Sequence, residues 1–211
     1  MTPKCFSIPK MPMKLDFGQT ALKINVSFAA AVTLMLILDS SGVCAVALLC
    51  CVIHEAGHII CLLALGEKPK KIELSFYGIK LERAQLPCIK NADEIAVYAS
   101  GPVMNFVLSA LLFIASNGMP SLKTAALISL CVGAFNLIPC RPLDGGNILF
   151  AALYRIAGEE KAEKACRFVS LCMIMPLGIA GVFLALKKGN FTLLAVAAYL
   201  AVCVFASKKK L

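Results

Sequence analysis

The stretch "CVIHEAGHII", residues 51–60, lies in the middle of an apolar run from Val43 to Leu65. It contains His54, Glu55 and His58, and the chain of 211 residues has no other histidine. Ionisable groups within a membrane-spanning segment are costly and usually mark a functional site. The fold and the chemistry of this chain therefore both depend on what surrounds these three side chains.

The composition predicts an integral membrane protein. Hydrophobic residues make up 60% of the chain, charged residues make up 16%, and the mean hydropathy is +0.84. Soluble domains are about half apolar and about one quarter charged, so the excess indicates contact with lipid. The net charge of +9 is compatible with nucleic-acid binding. The chain has no tryptophan, however, and no pattern of basic and aromatic residues interleaved on one surface, which argues against that function.

Apolar segments of about 20 residues predict transmembrane helices. The six candidates are Leu22–Leu38, Val43–Leu65, Ile95–Ser116, Thr124–Ile138, Phe168–Leu186 and Phe191–Ala206. With six spans and a cytoplasmic N-terminus, 18 of the 21 Lys and Arg residues fall on the cytoplasmic side, as the positive-inside rule requires.

The expected architecture is one all-α, multi-pass domain over residues 1–211 in a bacterial cytoplasmic membrane. It has a cytoplasmic tail (1–21), a membrane domain (22–206) and a short basic tail (207–211). Both termini and the site around His54 then face the cytoplasm.

The connection after the second span predicts a small β-hairpin. Residues 72–76 and 79–82 alternate between apolar and polar side chains, and Tyr77 and Gly78 lie between them. A membrane-associated hairpin without further function is one interpretation. In the other, an edge strand binds an extended peptide, and Phe76, Tyr77 and Gly78 help to position it.

His54 and His58 are four residues apart, so a helix places both on one face. Two imidazoles at this spacing can bind one Zn²⁺, and Glu55 can reach a water molecule on the metal without ligating it. This is the H-E-x-x-H arrangement of metalloproteases. The sequence therefore predicts a metal site here, and Gly57 allows another segment to approach closely.

A catalytic zinc site usually has three protein ligands, and the missing one must be a carboxylate or a cysteine. The best candidate is Asp144, in "NLIPCRPLDGG" (136–146). Pro139 and Pro142 break a helix, and Gly145 and Gly146 permit unusual backbone shapes, so an unwound segment at the membrane surface is expected. From spacing alone, a turn residue in a Pro-Gly loop is an equally good interpretation of Asp144.

Together, "HEAGH" (54–58) and "NLIPCRPLDGG" resemble the two motifs of the site-2 proteases, the intramembrane zinc metalloproteases of peptidase family M50. The second motif of that family runs Asn-x-x-Pro-x-x-Pro-Leu-Asp-Gly-Gly and is complete here from Asn136 to Gly146. "SGPVMNFVLSALL" (100–112) also resembles the Gly-Pro-bearing span between them. The resemblance implies a catalytic core of three helices, corresponding to spans two to four.

The same resemblance implies roles for individual residues. His54, His58 and Asp144 would ligate zinc, Glu55 would serve as general base and acid, and Asn136 would position the substrate or the oxyanion. The six-span layout is similar to the sporulation subgroup that releases a sigma factor from a membrane-bound precursor. A CBS domain is common in that subgroup, and we expect none in this chain. Two positions depart from the family pattern, namely Arg141 and Asn147.

The expected activity is hydrolysis of a peptide bond in a transmembrane or membrane-associated protein, such as a sigma-factor precursor or an anti-sigma factor. A regulatory membrane protein and a homo-oligomer are compatible with this activity. A zinc transporter and a catalytically silent zinc-binding module are the alternatives. A transporter would need metal-binding groups along a path, whereas the other spans carry almost none.

Overall fold

The computed structural model of the chain is mainly helical, with strands toward its N-terminus. It describes residues 13–17, 20–24, 32–33, 35–37, 39–66, 69–75, 78–83 and 91–206. The helices are α1 (Val43–Ala64), α2 (Asn91–Ala115), α3 (Pro120–Asn136), α4 (Asp144–Ala157), α5 (Glu159–Lys188) and α6 (Thr192–Ala206). The strands are β1 (Met13–Phe17), β2 (Thr20–Ile24), β3 (Pro69–Ser75) and β4 (Gly78–Arg83).

Helix α1 buries the face that carries the histidines. Its buried residues recur every three or four positions and therefore share one face: Cys50, His54, Gly57, His58 and Leu62. Large apolar side chains are exposed elsewhere on the helix, among them Leu49, Val52, Ile60 and Leu63. A surface helix of a water-soluble protein has the reverse arrangement, so this distribution indicates a helix surrounded by lipid.

Helices α1, α2 and α3 pack against one another in all three pairs. Two buried serine hydroxyls join α2 to α3: Ser109 Oγ donates to the Ala126 carbonyl at 2.8 Å, and Ser129 Oγ donates to the Asn105 carbonyl at 2.9 Å. Hydrogen bonds of this kind hold transmembrane helices together because lipid supplies no hydrophobic drive between them. The expected three-helix core is thus present.

Among the described helices, three are long and apolar enough to cross a bilayer, namely α1, α2 from Ala92 onward, and α5. Helix α3 has 17 residues. Its length of about 26 Å is short of the ~30 Å hydrocarbon core. The apolar helix α6 is shorter still, with 15 residues. These helices indicate an integral membrane protein. The sequence predicts six spans, which is more than the three described helices that meet both criteria.

The segment after α3 differs from its prediction. We expected an unwound stretch through Gly145 and Gly146, but the irregular part ends at Leu143, and α4 begins at Asp144. Pro139 and Pro142 lie inside the irregular part, where no helical hydrogen bond has to be made. Helix α4 then leads through Gly158 into α5, which starts nine residues before the predicted fifth span.

The sheet is larger than the single hairpin that the sequence predicts. Strands β3 and β4 pair antiparallel, as the alternation over residues 72–82 suggests, with Ser75 opposite Gly78. They belong to a four-stranded sheet with the order β1-β2-β3-β4. The description of the chain as all-α, apart from one hairpin, was therefore too simple.

The predicted first span, Leu22–Leu38, needs a correction at its start. Leu22 and Ile24 lie in β2, which pairs antiparallel with β1 and parallel with β3. The backbone of β2 is thus committed to partners on both sides, and these residues do not begin a helix. Helical turns appear only at residues 32–33 and 35–37 among those described before Asp39.

Candidate metal centre

Three side chains from distant parts of the chain converge at one point. His54 and His58 come from consecutive turns of α1, and Asp144 is the first residue of α4. His54 Nε2 lies 2.8 Å from Asp144 Oδ2, His58 Nε2 lies 3.3 Å from the same oxygen, and the two Nε2 atoms are 3.2 Å apart. Among the described residues, this is the one group of three His, Cys, Asp or Glu side chains that could hold a metal ion.

The spacing of these atoms fits a small tetrahedral cation. Ligand bonds of about 2.0–2.1 Å imply ligand atoms roughly 3.3 Å apart, close to the separations seen here. Both histidines are 4% exposed, so bulk water does not compete for their ring nitrogens. The site is therefore compact and enclosed by protein.

The backbone of α2 determines which nitrogen of His58 faces the site. His58 Nδ1 lies 2.7 Å from the Val97 carbonyl oxygen, which can only accept a hydrogen bond. Nδ1 therefore carries the proton, and in the neutral ring the lone pair is on Nε2. That lone pair points to His54 Nε2 and the Asp144 carboxylate, an arrangement that a cation stabilises. Ser100 Oγ donates to the same carbonyl at 2.6 Å.

His54 is held differently. Its Nε2 faces Asp144, whereas its Nδ1 is buried and makes no hydrogen bond to any residue in the described part of the chain. The two imidazole rings meet edge to face, with centroids 4.9 Å apart and an interplanar angle of 84°. Packing on the buried face of α1, rather than a hydrogen bond to Nδ1, thus orients this ring.

Gly101 on α2 forms the wall of the site opposite the rings. A β-carbon at this position would clash with His58 Nε2 and would lie 2.7 Å from His54 Nε2. Gly57 on α1 faces the same crossing, because a β-carbon there would lie 2.8 Å from the Ser100 carbonyl oxygen. The close approach expected at Gly57 is therefore present, and α2 is the helix that makes it.

The loop before Asp144 folds tightly onto the first turn of α4. A β-carbon on Gly145 would clash with the Leu137 carbonyl, and one on Gly146 would clash with the Cys140 carbonyl. The two glycines are thus needed for close backbone approach within a helix, rather than for an unwound backbone. This packing sets the direction in which Asp144 leaves the loop.

The remaining predicted residues are less closely tied to this centre. Glu55 is half-buried beside His54 on α1. Asn136 ends α3, and its amide donates to the Val132 carbonyl at 3.0 Å. Gly78 begins β4, whereas Phe76 and Tyr77 lie outside the described residues.

Comparison with known proteins agrees with this geometry. Residues 116–177, which include Asp144 and its loop, match the model of peptidase family M50. This part of the chain is therefore similar to peptidase family M50. The relationship to the site-2 proteases predicted from the two motifs is thereby confirmed.

Curated relatives of this chain include a zinc metalloprotease of Methanocaldococcus jannaschii, 36% identical over 60% of this chain and 39% of its own length. Stage IV sporulation protein FB of Bacillus subtilis is 27% identical over 62% of this chain and 47% of its own length. The chain thus spans less than half of either relative. A solved site-2 protease from M. jannaschii has the same fold, with a TM-score of 0.69 over 95% of this chain and 96% of that one, at 24% identity.

Two contributors to the candidate metal centre were missed from the sequence. Gly101 lies within the quoted Gly-Pro-bearing segment, but nothing in the sequence indicates that it contacts the rings. The Val97 carbonyl is a backbone group, so no side-chain pattern reports it. Both contacts depend on how α2 crosses α1.

Proposed function

We propose that this protein is an intramembrane zinc metalloprotease that hydrolyses a peptide bond of a membrane-bound protein. The observation that carries this proposal is the convergence of His54, His58 and Asp144, with His58 oriented by the Val97 carbonyl. Two neutral imidazoles and one carboxylate are a common ligand set of catalytic zinc. The names of the relatives, which include a zinc metalloprotease, support zinc as the metal.

Each residue has a separate task in this reaction. His54, His58 and Asp144 would hold the zinc ion, which would supply a Lewis acid for activating a water molecule and polarising the scissile carbonyl. Glu55, next to His54, takes the proton of the attacking water and passes it to the leaving amine, as a general base and then a general acid. Asn136, at the end of α3, is proposed to bind the substrate backbone or the oxyanion.

The substrate has to reach the centre as an extended chain, because a transmembrane helix hides its peptide bonds. Strand β4 is the last strand of the sheet, and its outer edge has no partner strand among the described residues. We propose that the substrate adds to this edge and that Phe76, Tyr77 and Gly78 help to position it, Gly78 being the first residue of β4. Backbone hydrogen bonds give affinity in such strand addition, and side-chain pockets give selectivity.

We place the site toward the cytoplasmic side of a bacterial cytoplasmic membrane, with both termini in the cytoplasm. The charge distribution over six spans supports this topology. His58 precedes the end of α1 at Ala64 by six residues, which is about 9 Å along a helix. Water then enters from the cytoplasm, and a sigma-factor precursor or anti-sigma factor is the substrate class that best fits the similarity to a sporulation protein.

The decisive experiment compares the native protein with Glu55→Gln. Membrane peptides trapped by Glu55→Gln are identified by mass spectrometry, and the recovered protein is offered to both forms in proteoliposomes. We expect cleavage by the native protein and a loss of at least about 100-fold in Glu55→Gln, with zinc content unchanged. Glu159→Gln, an exposed change at the start of α5, is the matched control.

Three results would contradict the proposal. Full activity of Glu55→Gln would show that Glu55 is not the general base. A native protein that binds zinc and the trapped peptide without cleaving it would instead support the silent zinc-binding module. Zinc flux across the same proteoliposomes, lost in His54→Ala, would support a transporter.

A further inference from the structure

Arg141 connects the loop that precedes Asp144 to two helices. Its Nη1 donates to Asn147 Oδ1 on α4 at 2.8 Å. Its Nε and Nη2 both donate to Glu163 Oε2 on α5, at 3.2 and 3.1 Å. The guanidinium carbon also lies over the Phe150 ring, 4.1 Å from its centroid. One side chain thus links the loop, α4 and α5 through the N–H groups at the edge of its planar head group and through one of its faces.

The backbone of Arg141 makes a further link to α5. Its N–H donates to Ser170 Oγ at 3.0 Å, and that hydroxyl donates in turn to the Cys166 carbonyl at 2.7 Å. Ser170 is fully buried, so this contact is protected from water. The loop is therefore docked on α5 at Ser170. The guanidinium adds a second contact at Glu163, nearer the N-terminus of α5.

This docking occurs three residues before the proposed third ligand. Within the loop, the Leu143 N–H donates to the Cys140 carbonyl at 2.8 Å, and the Asn147 N–H donates to the Leu143 carbonyl at 3.2 Å. A short, hydrogen-bonded path thus couples the position of Arg141 to the position of the first turn of α4. Metal ligands have to be held within roughly 0.5 Å of their working positions, so such a path matters for Asp144.

Arg141 and Asn147 are also the two positions at which this chain departs from the family pattern. They contact each other directly. Asn147, directly after the two glycines, accepts a hydrogen bond through its side-chain oxygen from the Arg141 guanidinium in the loop. The two departures therefore form one structural feature.

We propose that Arg141 is a positioning residue that holds Asp144 in place for metal binding, acting through Glu163 and Asn147. The inference rests on the proposed metal site. The Arg141–Glu163 pair is partly exposed, at 25% and 33% of the two side chains. Such pairs contribute little to global stability. The effect of Arg141 is thus expected on metal affinity rather than on folding.

The test measures Co²⁺ binding to the purified full chain in detergent micelles, by chelator competition and by the visible absorption of the bound ion. We expect Arg141→Leu and Glu163→Gln each to weaken Co²⁺ binding by roughly tenfold and to shift its absorption bands, as changes in groups that orient metal ligands do. The double variant should lose no more than the larger single loss, because both changes break one contact. Lys164→Gln, which breaks the exposed Lys164–Glu160 pair on the same helix, is the matched control.

The results separate this inference from the proposed function. If the native protein binds Co²⁺ tightly and both variants match the control in affinity and absorption, the positioning role is wrong while the metal site stands. If the native protein binds no more Co²⁺ than His54→Ala, the metal site itself is wrong. If Arg141→Leu fails to fold, Arg141→Lys and Glu163→Gln carry the test, since a single ammonium cannot hold Asn147 and Glu163 together.

Discussion

His54 Nε2 and Asp144 Oδ2 lie 2.8 Å apart, although 90 residues separate them in the chain. The first belongs to α1 and the second begins α4. Helix α4 is held by contacts with α2 and α5, and α2 in turn packs on α1. The proposed ligand set is therefore complete only when the helices have assembled.

Asp144→Asn should abolish tight zinc binding. The change removes a charged ligand, so we expect affinity to fall by more than about 100-fold, beyond the 10–100-fold typical of groups that merely orient ligands. Zinc content after dialysis against a chelator measures the loss. Asp93→Asn, on the first turn of α2, should keep its zinc. Equal zinc stoichiometry in Asp144→Asn and the native protein would remove Asp144 from the ligand set.

Gly101→Ala should disrupt the centre without removing any ligand. The new methyl group would meet both imidazole rings, so either α2 shifts or the rings leave their positions. Such overpacking costs about 1–3 kcal/mol. We expect lower thermal stability and weaker zinc binding together. Gly178→Ala, on α5, is the control because a β-carbon there meets nothing within 4 Å. A Gly101→Ala protein indistinguishable from Gly178→Ala would show that the rings tolerate the methyl group.

Replacing Phe76 and Tyr77 by Ala should slow cleavage and leave zinc content unchanged. The two aromatic residues precede the edge strand to which the substrate is proposed to add, so their loss weakens substrate binding more than chemistry. Cleavage rates at several substrate concentrations would show a raised KM with a smaller change in kcat. Phe191→Ala, an exposed aromatic residue before α6, is the control. An unchanged rate in the double variant would exclude a role for these two residues.

Asp39→Ala should loosen the start of α1. The Asp39 carboxylate accepts hydrogen bonds from the Ser41 hydroxyl and from the Cys44 N–H, the latter at 2.6 Å. These bonds hold the pKa of Asp39 below its usual range. Because the folded-state pKa is lowered, the stabilisation is present above the usual carboxyl pKa and is lost as the pH falls through the folded value.

Hydrogen exchange at the Cys44 amide measures this contribution. At neutral pH we expect a lower protection factor in Asp39→Ala than in the native protein, whereas Asp39→Asn keeps one acceptor oxygen and most of the protection. On acidification, only the native protein should approach the behaviour of Asp39→Ala. Equal protection in all three proteins at neutral pH would show that Asp39 does not support this helix.

Several elements could be predicted because their signals are local. The apolar runs located α1, α2 and α3 to within a few residues, and the alternation over 72–82 located β3 and β4. The start of α5 was missed because the search for apolar runs overlooks Glu159–Arg167, which is polar. This segment consists mostly of helix-forming residues, and Glu160 and Lys164 form an ion pair one turn apart. The pairing of β2 with β3 was missed because these strands are far apart in sequence and leave no local pattern. The pairing of β1 with β2 is local, but Leu22 and Ile24 were assigned to the first span on their hydropathy.

The sequence by itself determined that the chain lies in a membrane and that His54, Glu55 and His58 lie on adjacent turns of one helix. Both follow from local physics, namely the cost of apolar surface in water and the 3.6-residue period of the helix. Only the tertiary structure decided that Asp144 meets the histidines instead of serving only as a turn residue. It also decided that the Val97 carbonyl selects the tautomer of His58, that Gly101 leaves room for the rings, and that Arg141 docks the loop. Each of these depends on distances between separate helices, and such distances are set by packing, which no local pattern encodes.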